Sequence, residues 1–153
     1  MAASRAPHAG AMKRSDPVRR RGRILLVEDD PDAAYYAVYV LTRMGGFGVS
    51  HTPDPAVALQ RARSLPWDLV LTDLDLPGMT GSELMAALRQ VLPTLPVAVM
   101  TSRAAGDAQL DGLRQQADAF LHKPVPPARL LTVVSALLAE QPGRLPQTRR
   151  RCD

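Results

Sequence analysis

The stretch Leu69-Val70-Leu71-Thr72-Asp73-Leu74-Asp75-Leu76-Pro77 constrains this chain more than any other. Three strongly apolar residues and a threonine run straight into a carboxylate, and a Pro-Gly turn follows at Pro77-Gly78. A short apolar run closed by a turn reads as a buried strand of a parallel sheet. Ligands of such sheets sit beyond the carboxyl ends of the strands. Asp73 therefore stands at the end where this kind of fold does its chemistry.

Other stretches repeat the pattern. Ile24-Leu25-Leu26-Val27 is a second apolar run, and it ends in Glu28, Asp29 and Asp30. Pro31 suits the first turn of a helix. The spacing predicts a helix from there to about Met44, stopped at Gly45-Gly46, with Ala33, Tyr36, Ala37, Val40, Leu41 and Met44 on its core face. Tyr35 and Tyr39 fall on another face, where they are either half-buried packing residues or an exposed docking stripe. Phe47 to His51 reads as an edge strand because of its glycines, with His51 an ordinary member of it. A second helix runs from Asp54-Pro55 to about Ser64 and buries Val57, Leu59 and Ala62.

After Asp73, Thr80-Gly81-Ser82-Glu83 matches a capping box, and Leu84, Leu88, Val91 and Leu92 give the third helix its apolar face. Val97-Ala98-Val99-Met100 is the fourth strand and finishes in Thr101-Ser102. A small polar helix spans about Ala105 to Gln116. Ala119-Phe120-Leu121-His122 is the fifth strand, ending at Lys123-Pro124. The last helix starts near Pro126-Pro127 and carries Leu130, Val133, Val134 and Leu137 at helical spacing. Strand and helix alternate five times, which predicts a doubly wound α/β domain.

Composition sets the bounds. The 153 residues fit one domain of about 23–140 between two tails, and 46% of them are apolar, enough for a proper core. No apolar run approaches the roughly 20 residues needed to span a membrane, and no apolar stretch follows the first basic residues as a secretory signal requires. Cys152 is the only cysteine, so no disulfide staples the fold and a cytoplasmic setting is expected. The net charge of +4 is unevenly spread. Residues 1–23 hold seven Arg or Lys against Asp16, and residues 141–153 hold four Arg against Asp153. The rest carries eight basic and thirteen acidic residues, an acidic domain between basic ends. The tails read as disordered solubilising segments, because neither contains interleaved aromatics, zinc spacing or room for a helix-turn-helix. Nucleic acid is accordingly not expected as a partner, and neither is membrane insertion.

The strand ends together make a site. Strand one presents Glu28 and Asp29, strand three Asp73, strand four Thr101 and strand five Lys123. Carboxylates held that close raise one another's pKa values, and a hard divalent cation relieves the repulsion. A lysine in the same cleft offers a point charge to a phosphoryl oxygen, and a threonine offers a hydroxyl. Lys123 is one of only two lysines in a chain that otherwise uses arginine, which argues that its compact ammonium matters. The set suits phosphoryl chemistry with a carboxylate as acceptor and Mg²⁺ as cofactor.

Four segments carry a family resemblance: Ile24–Asp30, Asp68–Gly81, Pro96–Ser102 and Ala119–Pro124. Over about residues 23–140 the sequence resembles the receiver domain of two-component response regulators, of the stand-alone type. The resemblance implies a flavodoxin-like five-stranded parallel sheet, order 2-1-3-4-5, with five helices. It implies Asp73 as phospho-acceptor, Asp29 as direct Mg²⁺ ligand, Glu28 as a ligand through water, and the Asp75 carbonyl as a further ligand. It implies Thr101 as the switch hydroxyl, Phe120 as the switch aromatic and Lys123 as the phosphoryl-binding lysine. The donor would be a phosphohistidine on a sensor histidine kinase or a histidine phosphotransfer protein. The output would be a protein contact made by the face of helix four, strand five and helix five, with Asp111 and Arg114 as candidate contacts. The downstream target is unknown, and a phosphorylation-dependent dimer is left open. Such a domain is not an enzyme beyond self-phosphorylation and autodephosphorylation.

Some residues stand on simpler readings. Asp30 reads as a helix-start charge rather than a ligand. Phe120 also fits a plain core aromatic, and Thr101 a strand-end hydroxyl capping a helix. Gln116 replaces a glycine frequent in the family, and Val125 replaces an aromatic. Asp75 and Arg103 occupy the positions that tune phosphoryl lifetime in the family, and their placement predicts a pair across the site mouth. Two other functions compete. Asp73-Leu74-Asp75 also resembles the first motif of haloacid-dehalogenase-type phosphohydrolases, although a strand with its own acid pair precedes it here. A DNA-associated regulator would have to act through the basic tails.

Overall fold

The structure is a computed structural model that describes residues 21–140. Both expected tails, 1–22 and 141–153, fall almost wholly outside the described residues. The parallel strands are β1 (Arg23–Val27), β2 (Gly48–Thr52), β3 (Leu69–Asp73), β4 (Val97–Thr101) and β5 (Ala119–His122), in the order β2-β1-β3-β4-β5. The helices between and after them are α1 (Pro31–Tyr39), α2 (Pro55–Ser64), α3 (Gly81–Val91), α4 (Ala108–Gln116) and α5 (Pro127–Ala139). Two short antiparallel strands, Asp75–Leu76 and Met79–Thr80, fold the turn after β3 back on itself around Gly78. No helix among the described residues is long and apolar enough to cross a membrane.

The alternation of side chains along the strands divides the core. Ile24, Leu26, Leu69, Leu71, Ala98, Met100 and Leu121 face α1, the Val40–Met44 segment that follows it, and α5, where Ala37, Leu41, Leu130 and Val134 close over them. Leu25, Val27, Val70, Val97 and Val99 face the other way, onto Ala58 and Leu59 of α2, Leu84, Met85 and Leu88 of α3, and Leu110 and Leu113 of α4. A sheet covered on both sides needs strands with apolar residues on both faces, and Ile24–Val27, Leu69–Leu71 and Val97–Met100 supply them. Their register is fixed, with Leu71 opposite both Leu26 and Ala98. The carboxyl ends of all five strands therefore reach one rim of the sheet.

Several helix details differ from the sequence reading. The first helix does not continue as a regular α-helix to Met44, because Val40–Met44 is wound as a π-helix. The Gly45 amide reaches back five residues to the Val40 carbonyl at 3.0 Å. The wider turn leaves Met44 exposed. Upstream, in the regular part of the helix, Ala34 is buried where Ala33 was expected. Tyr36 is not a core residue either; its ring lies at the surface and its hydroxyl donates to the Val125 carbonyl at 2.6 Å. In α2, Ala58 is buried rather than Val57. In α3, Met85 joins the buried set while Val91 and Leu92 are only half-buried. The capping box is present, with the Thr80 hydroxyl taking the Glu83 amide at 3.2 Å and Glu83 taking the Thr80 amide at 3.0 Å. The fourth helix begins at Ala108, three residues later than expected, because Asp107 caps it by accepting the Gln109 amide at 2.9 Å.

Gln116 needs no left-handed backbone, since among the described residues only Gly46 and Gly78 have positive φ. Its carbonyl is taken by Arg89 of α3 at 2.7 Å, and the same guanidinium holds the Leu95 carbonyl and the Asp118 carboxylate, each at 2.8 Å. That clamp replaces a glycine cap.

Gly45 ends the π-helix with no space for a side chain. A Cβ there would lie 2.7 Å from Leu131 Cδ2 and 2.8 Å from the Leu41 carbonyl oxygen. Gly45→Ala is expected to lower stability by about 1–3 kcal/mol in urea unfolding, the range for overpacking. Gly106→Ala, which meets nothing within 4 Å at a residue of ordinary φ, should be neutral or slightly stabilising.

Candidate functional site

Each functional side chain sits where a strand runs out at this rim. Glu28 and Asp29 follow β1, Asp73 ends β3, Thr101 ends β4, and Lys123 follows β5. Ligand atoms of Glu28, Asp29 and Asp73 all lie within 4.8 Å of one another. Glu28 is fully buried and Asp73 is 7% exposed, while Asp29 faces solvent. Lys123 spans the group, its ammonium donating to Glu28 Oε2 at 2.6 Å and to Asp73 Oδ2 at 2.9 Å. The second oxygen of Glu28 accepts the Asp30 amide at 3.1 Å, and the second oxygen of Asp73 accepts the Asp75 amide at 3.2 Å. Among the described residues every buried side-chain polar atom has a partner.

The electrostatics follow from this packing. Burial raises the Glu28 carboxyl above its ordinary value, against the lowering pull of Lys123 and the Asp30 amide. Burial also opposes the Lys123 ammonium, but hydrogen bonds to Asp73 and Glu28 together with their charges outweigh it, and Lys123 titrates higher than usual. A cleft with three carboxylates and one ammonium carries excess negative charge. Its oxygen donors and one open side fit a small hard cation that keeps several waters.

The remaining predicted residues are placed as follows. Thr101 is fully buried, and its hydroxyl accepts the Arg103 amide at 3.0 Å, so it caps no helix. The Asp75 carboxylate lies outside the acidic cluster. It accepts Arg103 Nε at 3.0 Å and Nη2 at 2.5 Å, which is the pair expected across the site mouth. That pair and its neighbour Asp107 raise the Arg103 pKa. Asp30 caps α1, accepting the Asp32 amide at 2.9 Å, and does not join the cluster. Phe120 is half-buried, with the Arg114 guanidinium 5.7 Å from its ring centroid. Asp111 and Arg114 are exposed on α4. Tyr35 and Tyr39 are exposed by 75% and 52%, so they are not packing residues.

Sequence reasoning missed three neighbours of the site. His51 Nε2 lies 2.7 Å from the Glu28 carbonyl, and Gln109 and Asp107 both meet the Arg103 side chain. The i,i+4 spacing of Arg103 and Asp107 could have suggested one of these contacts, whereas His51 reaches Glu28 across 23 residues with no short-range signal.

Comparison with known proteins agrees with this geometry. The family model described as the response regulator receiver domain matches residues 24–135. The chain belongs to this receiver family. It is 36% identical over 116 residues to the transcriptional regulatory protein PrrA of Mycobacterium leprae, covering 76% of this chain and 49% of that protein. It is 38% identical over 118 residues to the DNA-binding response regulator MtrA of Mycolicibacterium smegmatis, covering 77% of this chain and 51% of that one. The chain thus spans about half the length of the curated relatives it matches. Among solved structures, a CheY-like receiver domain protein of Methanospirillum hungatei superposes with a TM-score of 0.71 at 28% identity, covering 78% of this chain and 94% of that one. The receiver domain of a sensor histidine kinase from Pseudomonas aeruginosa has the same TM-score at 25% identity, covering 77% and 98% of the two chains, and holds a magnesium ion in its active-site cleft. The phosphohydrolase alternative is not favoured for this receiver, whose Asp75 carboxylate is engaged by Arg103.

Removing the ammonium tests the charge balance. Lys123→Met is expected to cost about 3 kcal/mol at neutral pH, because it leaves Glu28 and Asp73 uncompensated. The loss should shrink as pH falls and Glu28, whose carboxyl is raised by burial, takes up its proton. The raised Lys123 value adds stability that is complete below the unfolded lysine value, about 10.4, and is lost as pH rises through the higher folded value. Glu28 acts in the same sense at lower pH: burial raises its carboxyl, so stability falls as pH rises through the carboxylate range. The alkaline decline of wild-type stability should therefore be shallower in Lys123→Met, as read by urea unfolding across pH.

Proposed function

We propose that this receiver accepts a phosphoryl group on Asp73 from a phosphohistidine of a sensor histidine kinase or histidine phosphotransfer protein, in a Mg²⁺-dependent phosphorelay. The observation that carries the reading is the Lys123 ammonium bonded at once to Glu28 and Asp73 beside a third carboxylate. Asp73 Oδ attacks phosphorus, a P–O bond forms as the donor's P–N bond breaks, and the electron pair returns to the imidazole. Mg²⁺ would neutralise charge on the phosphoryl oxygens, held by Asp29 and Asp73 directly, by the Asp75 carbonyl, and by Glu28 through water. Glu28 is fully buried while Asp29 and Asp73 are more open, which supports an indirect role. The magnesium-containing relative supports this choice of ion.

In this reading Lys123 keeps its ammonium in the cleft and binds a phosphoryl oxygen. Thr101 leaves the Arg103 amide and donates its hydroxyl to the phosphoryl group. Phe120 follows, altering the surface of α4, β5 and α5 that meets a protein target. The domain turns over only its own phosphoryl group and works in the cytoplasm.

Intact mass after incubation with acetyl phosphate and Mg²⁺ tests the acceptor. Wild type is expected to gain one phosphoryl group, with no gain in Asp73→Asn or without Mg²⁺. Persistence of the gain in the variant would overturn the assignment. The Asp75–Arg103 pair is expected to screen the acyl phosphate from water. Asp75→Asn and Arg103→Ala should each change the dephosphorylation rate up to severalfold, the effect expected of an exposed ion pair worth about 0.2–1 kcal/mol. Unchanged rates in both would remove that role.

A further inference from the structure

We propose that Arg103 is a positioning residue that latches the first turn of α4 to the rim of the sheet, and that phosphorylation of Asp73 releases the latch. The latch itself stands on geometry, while its release rests on the acceptor reading above.

Arg103 joins separate parts of the molecule. Its amide donates to the Thr101 hydroxyl at 3.0 Å. Its Nε and Nη2 donate to Asp75 in the turn after β3. Its Nη1 donates to Gln109 Oε1 at 2.6 Å and lies 3.7 Å from Asp107 Oδ2. Asp107 is the cap of α4 and Gln109 stands in its first turn. The guanidinium therefore ties the turn after β3 to the start of α4, and the backbone of the same residue holds the hydroxyl at the end of β4.

The helix has little else to hold it. Only Leu110 and Leu113 of α4 are buried, and its other side chains are exposed. Its far end is held separately by Arg89 on the Gln116 carbonyl. Contacts at the first turn are thus a large share of what positions that end.

Phosphorylation acts on Arg103 at two points. A phosphoryl group on Asp73 draws the Thr101 hydroxyl from the Arg103 amide. Phosphorylation also replaces the single carboxylate charge of Asp73 with a phosphoryl group of about 1.5–2 negative charges, a net gain of roughly one or less, and its oxygens compete with Gln109 and Asp107 for the guanidinium. Once the guanidinium turns to the cleft, the first turn of α4 is free.

Amide hydrogen exchange over residues 103–116 tests this in the full chain. Wild type, Arg103→Gln, Arg103→Lys and Gln109→Ala are compared before and after acetyl phosphate with Mg²⁺, with intact mass read in parallel. Before the donor is added, exchange in the first turn of α4 should be roughly tenfold faster in all three variants, from the loss of a charged hydrogen bond. Arg103→Lys is expected to behave like Arg103→Gln, because an ammonium keeps the charge but not the fork. After phosphorylation wild type should reach the rate of the variants, which should change little, and Gln109→Ala should gain the same mass as wild type. Wild-type exchange in the resting variants would overturn the latch. Unchanged α4 exchange in wild type that carries the phosphoryl mass would overturn the release. Absence of any mass gain would instead count against the acceptor reading, and the resting comparison would still decide the latch.

Discussion

The site depends on one ammonium held between two carboxylates. Lys123 bonds Glu28 and Asp73, and Asp29 stands close by. Without that cation the carboxyl ends of β1 and β3 would bring like charges together in a partly desolvated cleft, and the cost would fall on the centre of the sheet. With it, the cleft keeps a net negative charge that suits a divalent cation while the acids stay ordered. Fold stability and site chemistry therefore draw on the same contact. Glu28 shows the balance most directly, because burial raises its carboxyl while Lys123 and the Asp30 amide pull it back.

Arginines organise what surrounds that centre. Arg89 closes the end of α4 where a glycine cap would serve in other chains, Arg114 covers the Phe120 ring, and Arg103 bridges the site mouth. Arg89 and Arg103 link separate elements by planar, multidentate hydrogen bonding, and Arg114 stacks on an aromatic ring, both uses that suit guanidinium. Between these clamps lies a helix with only two buried side chains. Such an element has less apolar burial to hold it than α3 or α5, which each bury four residues.

Much of this was legible in the sequence because it follows short periodicities. Apolar runs such as Leu69–Leu71 set the strands, the Thr80–Glu83 capping box started α3 where expected, and turn residues separated the elements. The reading failed where the period changed or a side chain chose among partners. The π-helix at Val40–Met44 moved Met44 outward, and nothing in the residue pattern announces a wider turn. Tyr36 has helical spacing for the core, yet its hydroxyl found the Val125 carbonyl at the surface. The start of α4 shifted because Asp107 served as a cap, a role that Asp fills as readily as it fills a helix interior.

By itself the sequence determined the alternation of strand and helix and the residues that finish each strand. These are local properties, set by hydrophobic period and turn chemistry, and they suffice to bring Glu28, Asp29, Asp73, Thr101 and Lys123 to one rim. Tertiary structure alone decided the pairings at that rim. Lys123 meets Glu28 across 95 residues, Arg103 meets Asp75 across 28, and His51 meets the Glu28 carbonyl across 23. Such contacts depend on strand order, loop path and side-chain rotamer together, and no short-range pattern in a single chain encodes them.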